Sequence, residues 1–252
     1  MLLSNNTIFI TGGGSGIGRG LAEAFHALGN QVIIAGRRKA LLDEVTKANP
    51  GMVGIELDIA DPASIQAVAD RLIADFPALN VLINNAGVMP FDDPSKPIDD
   101  AVAQQILTTN LLGPIRMTSS LIEHLKAQPR ATIINNTSVL AYLPLAGNAV
   151  YSAGKAALHS YSLSQRFMLR DTTVRVQEIA PPWVNTDLVK KGDDPRAMPL
   201  DDFIAETMAI LATDIEEVVV EGVLAARDNP GAGEHAMING FNVEMIKNPI
   251  PV

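Results

Sequence analysis

Tyr151 and Lys155 stand four residues apart in a stretch whose apolar residues recur at helical spacing, so both side chains project from one helix face. A phenol in water ionises near pH ~10, too high to hold useful phenolate at neutrality. An ammonium group alongside stabilises the phenolate and draws that value down, so the pair could exchange a proton with an alcohol or a carbonyl. Taken alone, Tyr-x-x-x-Lys is common on helix surfaces. Its weight comes from Ser138, upstream at the end of a β-branched run, whose hydroxyl can hydrogen-bond the same substrate oxygen. Asn110, in Thr108-Thr109-Asn110-Leu111-Leu112-Gly113, lies inside a long helical stretch where a short amide is unfavourable. It reads either as a helix-bending polar residue or as a group that holds water, through its carbonyl, in a proton relay to Lys155.

A second constellation stands near the N-terminus. A β-branched run leads into Thr11-Gly12-Gly13-Gly14-Ser15-Gly16-Ile17-Gly18, and an amphipathic stretch follows. Glycines there let the chain turn tightly and approach a pyrophosphate, whose charge meets the free N–H groups and positive end of the helix dipole. The spacing is Gly-x-x-x-Gly-x-Gly, which points away from most two-domain dehydrogenases. At the end of the next run, where a site selecting NAD would place a carboxylate for the ribose 2′-hydroxyl, the chain reads Ala35-Gly36-Arg37-Arg38-Lys39. Two guanidinium groups in place of a carboxylate predict a grip on a 2′-phosphate, hence NADP(H) over NAD(H). Asp58 could accept from an adenine amino group or cap the helix that starts near Pro62. Asn84-Asn85-Ala86-Gly87 offers amides beside a crevice, with small residues leaving room for a ribose, or makes a plain turn.

The elements that must position these residues follow from their spacing. The predicted strands are Thr7–Thr11, Val32–Gly36, Val53–Asp58, Val81–Asn85, Thr132–Asn136, Val174–Ala180 and Ala236–Asn239. Helical periodicity covers Ile17–Leu28, Ala40–Ala48, Ser64–Phe76, Ala101–Gln128 and Ala149–Leu169. Strands alternating with helices predict an α/β protein, a doubly wound parallel sheet of about seven strands flanked by helices. No linker or repeat divides the 252 residues, so one domain is expected over 1–252. Pro90–Asp100 and Asp187–Leu200, the latter with Lys190, Lys191 and Asp193, read as mobile surface loops, the second of them a substrate loop near 187–200.

Composition narrows the chemistry. The chain has no cysteine, which excludes thiol nucleophiles, thiolate metal sites and disulfide staples. With 47% hydrophobic and only 19% charged residues it has too much apolar material to stay disordered. Against 28 acidic side chains stand 19 basic ones, scattered along the chain, and a net charge of −9 argues against nucleic acid. The four histidines, His124 and His159 among them, have no close-spaced partner, so no metal is expected. Nothing resembles a signal peptide or a membrane span, and a soluble, cytoplasmic protein is expected.

The ordered set Thr11-Gly12-x-x-x-Gly16-Ile17-Gly18, Asn84-Asn85-Ala86-Gly87, Asn110, Ser138 and Tyr151-x-x-x-Lys155 resembles the short-chain dehydrogenase/reductase superfamily, in its compact branch of single Rossmann domains. The likeness covers essentially the whole chain, and Leu169 through Thr186 is similar to the DltE-type oxidoreductases within it. The resemblance implies that Ser138 orients the carbonyl, Tyr151 is the acid/base, Lys155 binds the nicotinamide ribose and Asn110 completes the relay. It also implies that Gly12, Ser15, Gly16, Ile17 and Gly18 meet the phosphates, Asp58 and Ile59 the adenine, Asn85, Ala86 and Gly87 the adenosine side, and Val184 and Thr186 the nicotinamide amide. The family usually has Pro-Gly after the sixth strand, whereas this chain has Pro181-Pro182. A homodimer or homotetramer is implied, built on the helices Ala101–Gln128 and Ala149–Leu169 with Gln165, Phe167 and Met168.

Val88, Met89, Phe91, Leu143, Trp183, Leu188 and Met198 predict an apolar pocket for a small carbonyl or alcohol, or in part merely pack the loops against the core. The leading expectation is an NADP(H)-dependent oxidoreductase that moves hydride between nicotinamide and a carbonyl or secondary alcohol. The alternative is an NADP(H)-sensing binding protein of the same fold with little turnover, which would commonly have lost the Tyr or the Lys. A sugar-nucleotide epimerase or dehydratase would need a longer C-terminal part than this chain has.

Overall fold

The computed structural model describes residues 1–189, 192, 194–213, 215–229 and 231–249. In β1 (Thr7–Thr11), β2 (Gln31–Gly36) and β4 (Leu79–Asn84), Ile8, Ile10, Val32, Ile34, Val81 and Ile83 point to one side, and Phe9, Ile33 and Leu82 to the other. All are buried. Strands apolar on both faces must be covered on both faces. With β3 (Val53–Glu56), β5 (Ala131–Asn136), β6 (Val174–Ile179) and β7 (Glu217–Val218) they form one sheet in the order β3-β2-β1-β4-β5-β6-β7. Every neighbouring pair is parallel. The chain is thus a single-domain α/β Rossmann fold.

Helices supply the two outer layers. On one face α1 (Gly16–Ala27), α2 (Lys39–Ala48) and α7 (Leu200–Leu211) bury Leu21, Phe25, Leu42, Val45, Phe203 and Leu211. On the other, α3 (Pro62–Asp75) and α5 (Gly113–Ala127) bury Ile65, Leu72, Met117, Leu121 and Leu125. α6 (Ala149–Leu169) runs beside β6 and adds Leu169 to that core. Because the strand order reverses between β1 and β4, a crevice opens where their C-terminal ends diverge.

Three sequence expectations are corrected. Residues 236–239 are not a strand but part of a helix, α9 (Glu234–Lys247), which follows α4 (Asp100–Leu107) and α8 (Leu224–Arg227) in the numbering. The seventh strand is Glu217–Val218, at the start of a Val218-Val219-Val220 run, and Glu178 and Ile179 of β6 pair with it. The helix expected over Ala101–Gln128 is two helices joined by a π-helical turn at Thr108–Leu112. Of the two expected mobile loops, Pro90–Asp100 is tied down at its start: Asp92 donates its N–H to the Gly147 carbonyl at 3.0 Å, and Pro90 accepts from the Asn148 side chain at 3.0 Å. Lys190, Lys191 and Asp193 of the second loop lie outside the described residues.

Candidate active site

The crevice is a cleft of about 970 Å³, and the glycine-rich turn forms one end of it. Gly12 has φ +70°, and Gly18 lies so close to the turn that a Cβ there would sit 2.3 Å from the Gly12 carbonyl oxygen and 2.4 Å from Asn85 Nδ2. Side-chain bonds lock this approach. The Thr11 hydroxyl accepts the N–H groups of Asn85 and Ala86 at 3.0 and 3.1 Å, and Asn85 Nδ2 donates to the Thr11 and Gly12 carbonyls. Asn136 Nδ2 in turn donates to Asn85 Oδ1 at 2.8 Å, tying the ends of β1, β4 and β5 together. The first turn of α1 has no side-chain cap and no acidic residue, so its N–H groups and positive end are available to an anion.

Arg37 and Arg38 follow β2 on the cleft wall, both exposed. Arg38 Nη2 donates to Ser15 Oγ at 2.9 Å, while Arg37 makes no ion pair with a described residue. Asp58 does not cap α3. Asp61 does, accepting from the Ala63 N–H at 2.9 Å, and Asp58 Oδ1 instead holds the Ala60 N–H at 3.0 Å.

At the other side of the strand ends, Ser138, Tyr151 and Lys155 all line the cleft and are all buried. Lys155 Nζ donates to the Asn136 carbonyl at 2.6 Å and lies 5.6 Å from the centre of the Tyr151 ring. Burial pulls the Lys155 ammonium down to about 8. It also pushes the Tyr151 phenol up to about 12, against a hydrogen bond with Ser138 that acts the other way. Asn110 is buried in the π-helical turn, its side chain exchanging two bonds with the Val88 backbone at 2.8 and 2.9 Å. Four residues on, Pro114 has no N–H to give the Asn110 carbonyl its α-helical bond. A π turn of this kind is a frequent mark of functional sites.

Residues 6–197 match the family described as short chain dehydrogenase. The chain belongs to the short-chain dehydrogenase family. This short-chain dehydrogenase is 37% identical to the uncharacterized oxidoreductase DltE of Bacillus subtilis, over 97% of this chain and 99% of that one. Its fold resembles a short chain dehydrogenase from Burkholderia cenocepacia solved with NADP, with a TM-score of 0.84, 25% identity, and 96% and 99% of the two chains covered. A 3-ketoacyl-(acyl-carrier-protein) reductase from Brucella melitensis, solved with NADH, aligns with a TM-score of 0.77 and 26% identity, over 84% of this chain and 93% of that one.

Of the residues expected at the site of this short-chain dehydrogenase, the cleft is lined by Gly12, Ser15, Gly16, Ile17, Arg37, Arg38, Ile59, Asn85, Ala86, Gly87, Ser138, Tyr151, Lys155, Val184 and Thr186. Gly18, Asp58 and Asn110 are not among the lining residues, though their neighbours Ile17, Ile59 and Thr109 are. Of the expected pocket residues, Val88, Met89, Leu143, Trp183 and Leu188 line it, and Phe91 and Met198 do not. Pro182 lines it too, while the Pro181 carbonyl accepts from the Val139 N–H at 2.9 Å. Sequence reading missed Asp92, whose carboxylate accepts the first N–H groups of α6, those of Ala149 and Val150, both at 2.7 Å. An anchor so far along the chain from the helix it caps leaves no local pattern. It also missed Met237, Phe241 and Met245 of α9 at the cleft, and their spacing of four was the signal. His159 meets Glu178 and Glu217 at 2.9 and 3.8 Å, but each carboxylate already holds an arginine, Arg166 and Arg227 respectively.

Proposed function

We propose that the protein is an NADP(H)-dependent oxidoreductase that interconverts a carbonyl compound and its secondary alcohol, with Tyr151 as the acid/base. The observation that carries this reading is one cleft with Ser138, Tyr151 and Lys155 buried on one side and an uncapped helix N-terminus beside two arginines on the other. The glycine turn fits a dinucleotide, since backbone lies where any Cβ at Gly12 or Gly18 would stand and the free N–H groups of α1 suit a pyrophosphate. Arg37 and Arg38 would take the 2′-phosphate, and Asp58 would accept from the adenine amino group through Oδ2, with Ile59 against the ring. Asn85 would act through its backbone, because its side chain is fully engaged within the protein. Val184 and Thr186 would meet the nicotinamide amide.

When bound, the cofactor supplies or accepts the hydride at the substrate carbon. The chain's own residues handle the oxygen. Ser138 Oγ and the Tyr151 hydroxyl converge on it, and in reduction Tyr151 gives its proton to the oxygen as the carbon gains hydride. A phenol held protonated up to about 12 stays loaded as a donor throughout the neutral range. Lys155 holds the ribose, and the Asn110 carbonyl, denied its α-helical donor, holds the water that returns a proton toward Lys155. Asp92 fixes the height of α6, and with it both catalytic side chains.

The test is oxidation of NADPH and NADH with a panel of ketones and aldehydes, for the wild type, Tyr151→Phe and Arg37→Asp. Tyr151→Phe should lose roughly 10²–10⁴-fold in kcat while binding NADPH normally. Arg37→Asp should weaken NADPH by about tenfold or more and leave NADH alone. A wild type no faster than Tyr151→Phe on any substrate would end the enzymatic reading, and an unchanged cofactor preference would remove Arg37 from it.

Assembly as a homodimer is part of this reading. Leu163, Phe167 and Met168 on α6 and Leu107 and Leu112 beside it are exposed, Phe167 and Met168 by 62% and 72%. Gln165 is not part of that face: it is buried, and its Oε1 accepts from Asn135 Nδ2 at 3.2 Å.

A further inference from the structure

We infer that α9 is a lightly attached roof over the substrate half of the cleft, and that it selects an uncharged carbonyl compound with an extended hydrocarbon tail. The inference rests on the reductase reading of the site and adds its substrate class. Met237, Phe241 and Met245, four apart, turn one stripe of α9 into the cleft. Phe241 and Met245 pack in the same apolar cluster as Tyr151, Leu140 and Leu145. Any tail that leaves a carbonyl bonded to Tyr151 therefore runs beneath this stripe. Two methionines, unbranched and polarizable, let the roof mould to tails of different shape.

Little else holds the helix down. None of its residues is buried, and Ile246 is 78% exposed. The polar attachments are few among the described residues: Asn242 Oδ1 accepts the Ala146 N–H at 2.5 Å, its Nδ2 donates to the Pro144 carbonyl at 3.0 Å, and at the C-terminal end the Asn248 and Pro249 carbonyls accept from Arg196. Behind the helix a second cavity of about 430 Å³, walled by Ala149, Ala153, Ala156 and Ile238, separates it from α6. The roof can lift without breaking a packed core.

Charge decides against an anionic tail. Arg37 and Arg38 lie at the glycine end, Lys155 faces the reaction, and Asp187 is exposed. The remaining charged side chain on the described wall is Arg196, already bound by both carboxylate oxygens of Asp194 at 2.9 and 2.6 Å and by the Asn248 and Pro249 carbonyls. A carboxylate carried under α9 would lose its water and find no free cation among the described residues. A hydrocarbon gains by the same burial.

Trp183, the single tryptophan of the chain, lines the cleft and reports on binding. The experiment titrates 2-alkanones of four to twelve carbons into the NADP⁺-loaded protein, following Trp183 emission, with NADPH turnover measured in parallel. Binding should tighten roughly fourfold per methylene until the tail outruns the roof, then level off. Phe241→Ala, and Met245→Ala as the milder cut, should move that levelling to longer ketones, while Ile246→Ala, off the stripe, leaves the series unchanged. The anion 9-oxodecanoate should bind at least tenfold more weakly than 2-decanone. Affinity indifferent to length, an anion bound as well as the ketone, or an equal shift from Ile246→Ala overturns the inference. Length-dependent binding without turnover would sink the catalytic reading alone, and turnover without length dependence would sink this one alone.

Discussion

The two ends of the cleft are built on opposite principles. At the glycine end, backbone meets backbone at distances that admit no side chain, and Thr11, Asn85 and Asn136 lock the contact with directional hydrogen bonds. At the α9 end, one apolar stripe, one asparagine and the Arg196 bonds past its last turn hold a helix that buries none of its residues. The rigid end suits a ligand of fixed shape whose charges must be met by preorganised donors. The loose end suits ligands that vary in length and must enter and leave.

The sharpest way to break this contrast is Gly18→Ala. One added methyl falls 2.3 Å from the Gly12 carbonyl, and neither it nor the bonded Asn85 amide can retreat without parting β1 from β4. Overpacking of this kind costs roughly 1–3 kcal/mol. We expect a loss of about 2–12 °C in Tm and no measurable NADPH binding by fluorescence titration. A variant that binds NADPH normally would mean the glycine end is no more rigid than the other.

Lys155 sits where the two ends meet, and burial there has a price in stability. The native ammonium releases its proton near 8, whereas the unfolded chain keeps it to 10.5. Between those values the unfolded state binds more protons, so stability rises with pH across that window and the cost is fully present below it. Lys155→Met should remove that cost at pH 7, offset in part by the Asn136 carbonyl left without its donor. A net gain of about 1–2 kcal/mol in urea unfolding is expected, with the rise between pH 8 and 10 abolished and turnover lost. An unchanged pH dependence would show that Lys155 is not desolvated in the folded protein.

The same contrast explains what could be read in advance. Gly12, Gly18, Arg37, Ser138, Tyr151 and Lys155 stood out in the sequence because few residue types suit such positions, at a spacing that one strand end or helix turn dictates, and the fold gathers them at the strand ends around one cleft. The alternation of β-branched runs with helical periodicity likewise announced a parallel sheet covered on both faces, and Ile8, Phe9 and Ile10 are indeed all buried. α9 was misread because Ala236-Met237-Ile238 looks like a short strand, and a helix touching the protein along a single stripe carries weak periodicity. β7 was missed because only two residues pair with β6, too short a run for an alternating pattern to show. Asp92 escaped because its partners, Ala149 and Val150, are backbone groups brought near by the tertiary fold alone.

The gentlest probe acts on the loose end. Gly240 lies inside α9 with nothing beyond the helix's own backbone within 4 Å of where an added methyl group would stand, so Gly240→Ala meets no packed neighbour. Its effect is confined to backbone freedom, about 1 kcal/mol in favour of the helix. If α9 opens by itself, that energy goes into the local equilibrium: amide protons across Glu234–Lys247 should exchange about fivefold more slowly, while Tm and NADPH affinity stay as they are. If the variant raises Tm by several degrees with no selective protection of α9, the helix unfolds only with the whole domain, and the roof is as firmly built as the glycine turn.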